Sequence, residues 1–172
     1  MHTTIIIAQE LCEHGGTDHG ENVAVSLRAC RGAPHPVVDR QASIDRFRET
    51  RQRTTGMFDL LTEEAYYEQP IPLRHPVVFY EGHIPAFSVN TLIKRGLGRD
   101  GLDEDLERLF ARGIDPEDQV SADGVARGSW PRRETVRQYA TDADQAILDA
   151  LEHAEIERDG HPVLHRGQAV FA

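Results

Sequence analysis

Cysteine is close to absent from this chain. Cys12 and Cys30 are the only two in 172 residues, too few for a disulfide framework. Positive charge is short as well: 19 Lys and Arg face 29 Asp and Glu, and the formal net charge is −10. That balance argues against a nucleic-acid backbone or an anionic membrane surface as partner, since both need basic patches. Long apolar runs are missing too. Ile5–Ala8, near the start, is far too short for a signal-peptide core or a membrane span. No internal repeat and no low-complexity tract is present. A cytoplasmic protein of one domain is expected, with a core large enough to fold without staples.

What is present divides the chain near residue 36. Residues 1–36 read as a poorly ordered N-terminal segment. Thr3–Ala8 offers one short strand without an evident partner, and the stretch from His14 to Gly20 is a flexible polar loop by composition. Cys12, His14, His19 and Cys30 carry zinc-ligand atoms, but their spacing matches none of the patterns in which ligands come as close couples. A tail is the preferred reading. Pro34-His-Pro36 marks the break, and residues 37–172 read as an all-α bundle domain with long connections.

The first helix is predicted over Asp39–Leu61. Ile44, Phe47, Arg51, Thr54, Phe58 and Leu61 alternate three and four apart, which makes a bundle seam. Arg51 and Thr54 are polar intruders there, either snorkelling at a helix edge or lining an interior site. Thr62–Pro76 is predicted as an extended connector, because Pro70, Pro72 and Pro76 forbid a regular helix. Leu102–Phe110 reads as a short amphipathic helix and Asp115–Gly128 as a loop. The next long helix is predicted to start at Ser129-Trp-Pro131, with Ser129 or Trp130 at the N-cap. Its buried stripe is Val136, Tyr139, Ala143, Ile147, Ala150 and Ala154, and His153 suits the negative end of the helix dipole. Pro162 opens a last helix over Val163–Ala172, with Val163, Gly167, Val170 and Phe171 starting an apolar face that has no terminating signal. The last helix is thus expected to be incomplete, and the chain looks cut.

The stretch that organises all this is Pro76–Asn90. Pro76 suits a first helical turn, while Pro85 is expected to kink the helix two residues after His83. Phe79, His83, Ala86, Phe87 and Asn90 share one face, so His83 sits among apolar neighbours, where an imidazole must find a proton partner or a metal.

These pieces together resemble the DinB-like four-helix domain at the N-terminus of the ergothioneine-type (EgtB- and OvoA-like) non-haem iron sulfoxide synthases. The matching residues are Arg51-Gln-Arg-Thr54, Gln69-Pro70-Ile-Pro72, Pro76, the block Tyr80-Glu-Gly-His-Ile-Pro-Ala-Phe87, Trp130-Pro131 and His161-Pro-Val-Leu164. The block around His83 is the specific part. His75 stands where many relatives carry a serine.

The resemblance implies a three-histidine iron site between this domain and a C-terminal formylglycine-generating-enzyme-like domain. His83 would be its first ligand, and a His-x-x-x-His pair is expected past Phe171, so iron binding by this chain alone should be weak or absent. Arg51, Tyr80 and Glu81 are candidates for orienting the site or its substrates, a thiol and a histidine-derived imidazole. His161 and His165 lie four apart and could mimic the missing pair, although capping or solvent contact suits them better. Two rivals remain: a stand-alone DinB-type metal-dependent thiol transferase, and a non-catalytic helical module that associates with a partner or with itself through its unfinished last helix.

Overall fold

The computed structural model describes residues 38–71, 74–112 and 130–170. The N-terminal strand, loop and zinc expectations, the boundary at residue 36, the Asp115–Gly128 loop, Ser129 and Phe171 all fall outside those residues. Among the described residues the fold is all-α and no strand occurs. No helix there is long and apolar enough to cross a membrane.

Helix α1 runs Arg40–Asp59, with the Asp39 carboxylate accepting from the Ala42 N–H at 3.0 Å to close the N-terminus. The predicted seam faces inward, but it is thinly covered. Ile44 alone is fully buried, while Phe47, Arg51, Thr54 and Phe58 are half-buried.

The connector holds a helical turn that its prolines had seemed to forbid. Helix α2, Glu63–Tyr66, is capped by Thr62 and carries Glu63 and Glu64 in its first turn; it is complete before Pro70 is reached. Helix α3 spans Val77–Ser88, with Pro76 at the N-cap position rather than inside. It continues through Pro85 and changes to π winding over Val89–Gly96, where the Leu97 N–H reaches back five residues to the Leu92 carbonyl at 2.9 Å. The change of winding thus falls one turn beyond the proline.

Helix α4, Glu104–Phe110, starts at the Asp103 cap, two residues later than predicted. Its entry loop is held by Glu107, which is 1% exposed. That carboxylate accepts from the Leu102 N–H at 2.7 Å and from Lys94 Nζ of the π-helical segment at 2.8 Å. A Cβ at Gly101 would strike the Glu107 carboxylate, so a side chain there would displace it.

Helix α5, Arg133–His153, buries Val136, Tyr139, Ala143, Ile147 and Ala150, and Ala154 follows at its C-cap. It begins after Pro131 rather than at it. The Pro131 carbonyl accepts the Tyr67 hydroxyl at 3.2 Å, and Arg132 remains extended at the N-cap.

Helices α1 and α5 are antiparallel and stapled at both ends by the first residue of each. Arg40 donates to the Leu151 and Ala154 carbonyls at 2.7 and 2.6 Å. Arg133 donates to the Leu61 and Phe58 carbonyls at 3.0 and 2.6 Å. Each guanidinium adds a donor to carbonyls at the C-terminal end of the other helix, at the negative end of its dipole.

The final segment departs most from expectation. His165–Val170 is a 3-10 turn in which Arg166 (φ 52°) and Gly167 (φ 67°) are both left-handed, so a continuous right-handed helix cannot form. Leu164, fully buried, is the anchor, and it packs so closely on Gly96 that a Cβ there would lie 2.9 Å from its Cδ2.

Helices α1 and α3 both pack on α5, and α4 packs on α3, whereas α1 and α3 make few contacts with each other. One apolar cluster, including Ile44, Leu92 and Ile147, joins α1, the π-helical segment and α5. A second, including Tyr66, Phe79 and Phe110, lies beneath α2, α3 and α4.

Candidate functional site

His83 occupies the second turn of α3, half-buried, with Nδ1 2.7 Å from the Phe110 carbonyl oxygen. A carbonyl only accepts, so Nδ1 carries the proton, and the neutral ring keeps its lone pair on Nε2. That nitrogen has no hydrogen-bond partner among the described residues. An imidazole held this way is prepared to give Nε2 to a metal, because the bond at Nδ1 fixes both tautomer and ring orientation.

Gly82 makes this bond geometrically accessible. A Cβ at Gly82 would overlap three atoms of the Phe110 ring, so only glycine lets the end of α4 lie this close to α3. The His83 ring is also wedged in an aromatic column. His75, Phe79, His83 and Phe87 recur every four residues, with successive ring centroids 4.0, 5.1 and 6.0 Å apart. His75 is the buried start of that column.

His83 faces a cavity of about 840 Å³ between α1, α3 and α5. Phe47, Arg51, Phe87 and Ser88 share its wall. Arg51 turns inward: its Nε lies 2.9 Å from Asp144 Oδ1, its Nη2 donates to Ser88 Oγ at 2.9 Å, and its guanidinium stands 4.9 Å over the Phe47 ring. The interior-lining alternative for this residue therefore describes its position. Burial lowers the Arg51 pKa, and burial raises that of Asp144 despite the attraction of Arg51.

The other proposed site residues separate from His83. Glu81 lines a smaller cavity of about 100 Å³ that Arg51 also borders. Its buried carboxylate lies 3.4 Å from Arg137 Nε, next to Tyr66, whose phenol is pushed up by burial and then by hydrogen bonding to Glu81 and its charge. Tyr80 packs edge-on against Phe79 at 5.4 Å and lines neither cavity.

His161 and His165 use their rings on the local backbone. Nδ1 of His161 accepts from the Val163 and Leu164 N–H groups at 3.1 and 3.0 Å, and Nδ1 of His165 accepts from Gly160 N–H at 3.2 Å. An accepting Nδ1 places the neutral ring's proton on Nε2, the opposite tautomer to His83, so neither lone pair is left for a metal.

Among the described residues, no group of three or more His, Cys, Asp or Glu is placed to hold a metal ion. The donor set there is one neutral imidazole, which does not hold iron against water, so these residues alone do not constitute an iron centre. Sequence reasoning missed three parts of the site. Asp144 follows the buried Ala143 on α5, and a carboxylate beside an apolar stripe is a readable partner for an arginine in a facing seam. Ser88 follows Phe87 on α3 in the same way. The Phe110 carbonyl has no signal at all, since every residue carries one.

Residues 46–170 match the DinB superfamily. The chain is 33% identical over 85 residues to ergothioneine biosynthesis protein 1 of Schizosaccharomyces pombe, covering 46% of this chain and 11% of that protein. It is 32% identical over 84 residues to the protein of the same name from Neurospora crassa, covering 46% of this chain and 10% of that one. The chain matches about a tenth of the length of these relatives.

Proposed function

The chain belongs to the DinB superfamily, and from that premise we propose that it is the ligand-bearing helical domain of an ergothioneine-type sulfoxide synthase. In the intact enzyme, iron(II) and dioxygen supply the oxidative chemistry that joins a thiol to a histidine-derived imidazole. This domain contributes His83 Nε2 as one ligand, and a formylglycine-generating-enzyme-like domain and two further histidines come from outside residues 38–170. The residues of this chain fix the imidazole and wall the cavity. Phe110 holds the proton of His83 on Nδ1, and the aromatic column prevents the ring from turning. Arg51, tied to Asp144 and Ser88, presents a polar wall to small-molecule substrates.

The observation that carries this reading is the 2.7 Å contact from His83 Nδ1 to the Phe110 carbonyl, which reserves Nε2 for the cavity. The likeness of part of the chain to two ergothioneine biosynthesis proteins supports the same reading.

Anaerobic titration of the 172-residue chain with iron(II), read at equilibrium by paramagnetic broadening of the histidine NMR signals and then by metal retained after gel filtration, tests the reading. Weak broadening centred on His83 with no iron retained is expected, the broadening abolished by His83→Ala and unchanged by His161→Ala or His165→Ala. Retention of one iron per chain that either of the last two variants removes would replace this reading with the stand-alone thiol transferase.

A further inference from the structure

Helix α4 has seven residues, too few to keep its shape or its place on propensity alone. It is fixed by Glu107 and Phe110, which a helix places on one face. Phe110, at the C-terminal end, packs on Gly82, and its carbonyl accepts from His83. That carbonyl is free to accept because the last turn of a helix leaves its carbonyls without partners, and the negative end of the dipole favours a donor there. Glu107, one turn earlier, meets Lys94 of the π-helical segment that continues α3, with Nζ 2.8 Å from Oε2. Helix α4 therefore lies antiparallel along one continuous helix, from Lys94 back to Gly82.

The Glu107 carboxylate is an uncommon group to bury. It is 1% exposed, and its other oxygen, Oε1, accepts from the Leu102 and Asp103 N–H groups at 2.7 and 3.2 Å. Glutamate is almost never fully buried unless it is paired. A buried ion pair also adds little net stability over apolar residues of the same shape. What this pair supplies is position. Directional bonds from Lys94, Leu102 and Asp103 admit one placing of α4, whereas apolar contact is non-directional and tolerates a slide along α3. Such a slide would be felt at His83, because a hydrogen bond weakens steeply once it is misaligned.

We propose that Glu107, together with Lys94, is a positioning residue for His83. By fixing where α4 lies, the pair holds the Phe110 carbonyl on Nδ1 and so keeps the imidazole lone pair on Nε2. Both residues act through the α4 backbone rather than on the ring. This deepens the metal-ligand reading and rests on it for its use, but the tautomer is measured without metal. A tautomer that follows Glu107 in a chain showing no iron broadening would keep this inference and sink the other.

Nitrogen-15 NMR of the metal-free full chain, at a pH where the imidazoles are neutral, reads the ratio of Nδ1–H to Nε2–H in His83. Glu107→Ala should lower that ratio roughly fivefold or more, the change expected when one ordinary hydrogen bond is lost. Glu107→Gln keeps an oxygen for the Leu102 N–H but turns an amide N–H toward Lys94, so it should shift the ratio partway. Combining it with Lys94→Met removes that conflict and should restore the ratio to within about twofold. Ile156→Ala is the control: it removes a buried side chain from the other apolar cluster, lowers stability, and should leave the ratio unchanged. Should Glu107→Ala fail to fold, Lys94→Met carries the test. It leaves the carboxylate with its backbone donors only, and a partial shift is expected. An unchanged ratio in the folded Glu107 and Lys94 variants, or an equal shift in Ile156→Ala, overturns the proposal.

Discussion

Replacing Gly82 by alanine tests the link between packing and the histidine's chemistry. By helix propensity the change should stabilise, since an interior glycine costs a helix about 1 kcal/mol relative to alanine. The tertiary setting reverses the sign. The new methyl would overlap the Phe110 ring, which is fully buried with Phe79 and Trp130 at centroid distances of 6.3 and 6.4 Å. The ring therefore has no empty space to enter, and overpacking of this kind costs about 1–3 kcal/mol. Moving the end of α4 also weakens the hydrogen bond to His83, about 1 kcal/mol more. A net destabilisation of about 1–3 kcal/mol is expected after the propensity gain is subtracted. Urea denaturation reads that term as a lower midpoint with an unchanged slope. Nitrogen-15 NMR of the imidazole reads the other: the wild-type ring should be protonated at Nδ1, and the variant should shift toward Nε2–H. Gly56→Ala is the control, because Gly56 lies on an exposed face of α1 with nothing within 4 Å of its added Cβ, and it should gain about 0.5–1 kcal/mol. If Gly82→Ala stabilises like Gly56→Ala and the His83 tautomer is unchanged, the packing argument for this site is wrong.

Two further outcomes follow from the same geometry. Arg133→Ala should cost about 3 kcal/mol in denaturant unfolding, from two charge-assisted bonds and a guanidinium 4.7 Å over the Tyr66 ring, and Arg133→Lys should recover less than half of it. Arg40→Ala, at the exposed opposite staple, should cost about 1 kcal/mol; equal losses would contradict the role of burial. The second outcome concerns Asp144, whose folded pKa is raised by burial, so the native state binds its proton more tightly than the unfolded chain does. The stability of wild type relative to Asp144→Asn should therefore rise as pH falls through the raised folded value toward the ordinary carboxylate value, and fall as pH rises through that window. Paired denaturation curves across the acid range check the sign, and the opposite slope would mean that Arg51 outweighs desolvation.

The sequence by itself determined the parts of this protein that depend on periodicity and local chemistry. The all-α class, the α5 stripe from Val136 to Ala154 and the α1 seam follow from apolar spacing. So does the placing of His83 on an apolar-flanked face of α3, along with the family that its flanking block resembles. Tertiary structure decided whatever depends on groups distant in the chain.

Gly82 reads as a weak point in a helix until Phe110 is seen against it. The tautomer of His83 is set by a backbone carbonyl 27 residues away, which no residue type announces. Arg51 was legible as a polar intruder but not as a cavity wall, because the choice rested on Asp144 and Ser88, brought in by α5 and α3. The tail of the chain was misjudged for a related reason: Val163, Gly167 and Val170 keep a helical spacing, yet Leu164 seated on Gly96 and two left-handed residues close a turn there instead. Spacing records which residues share a face, and only packing against the rest of the chain decides what that face meets.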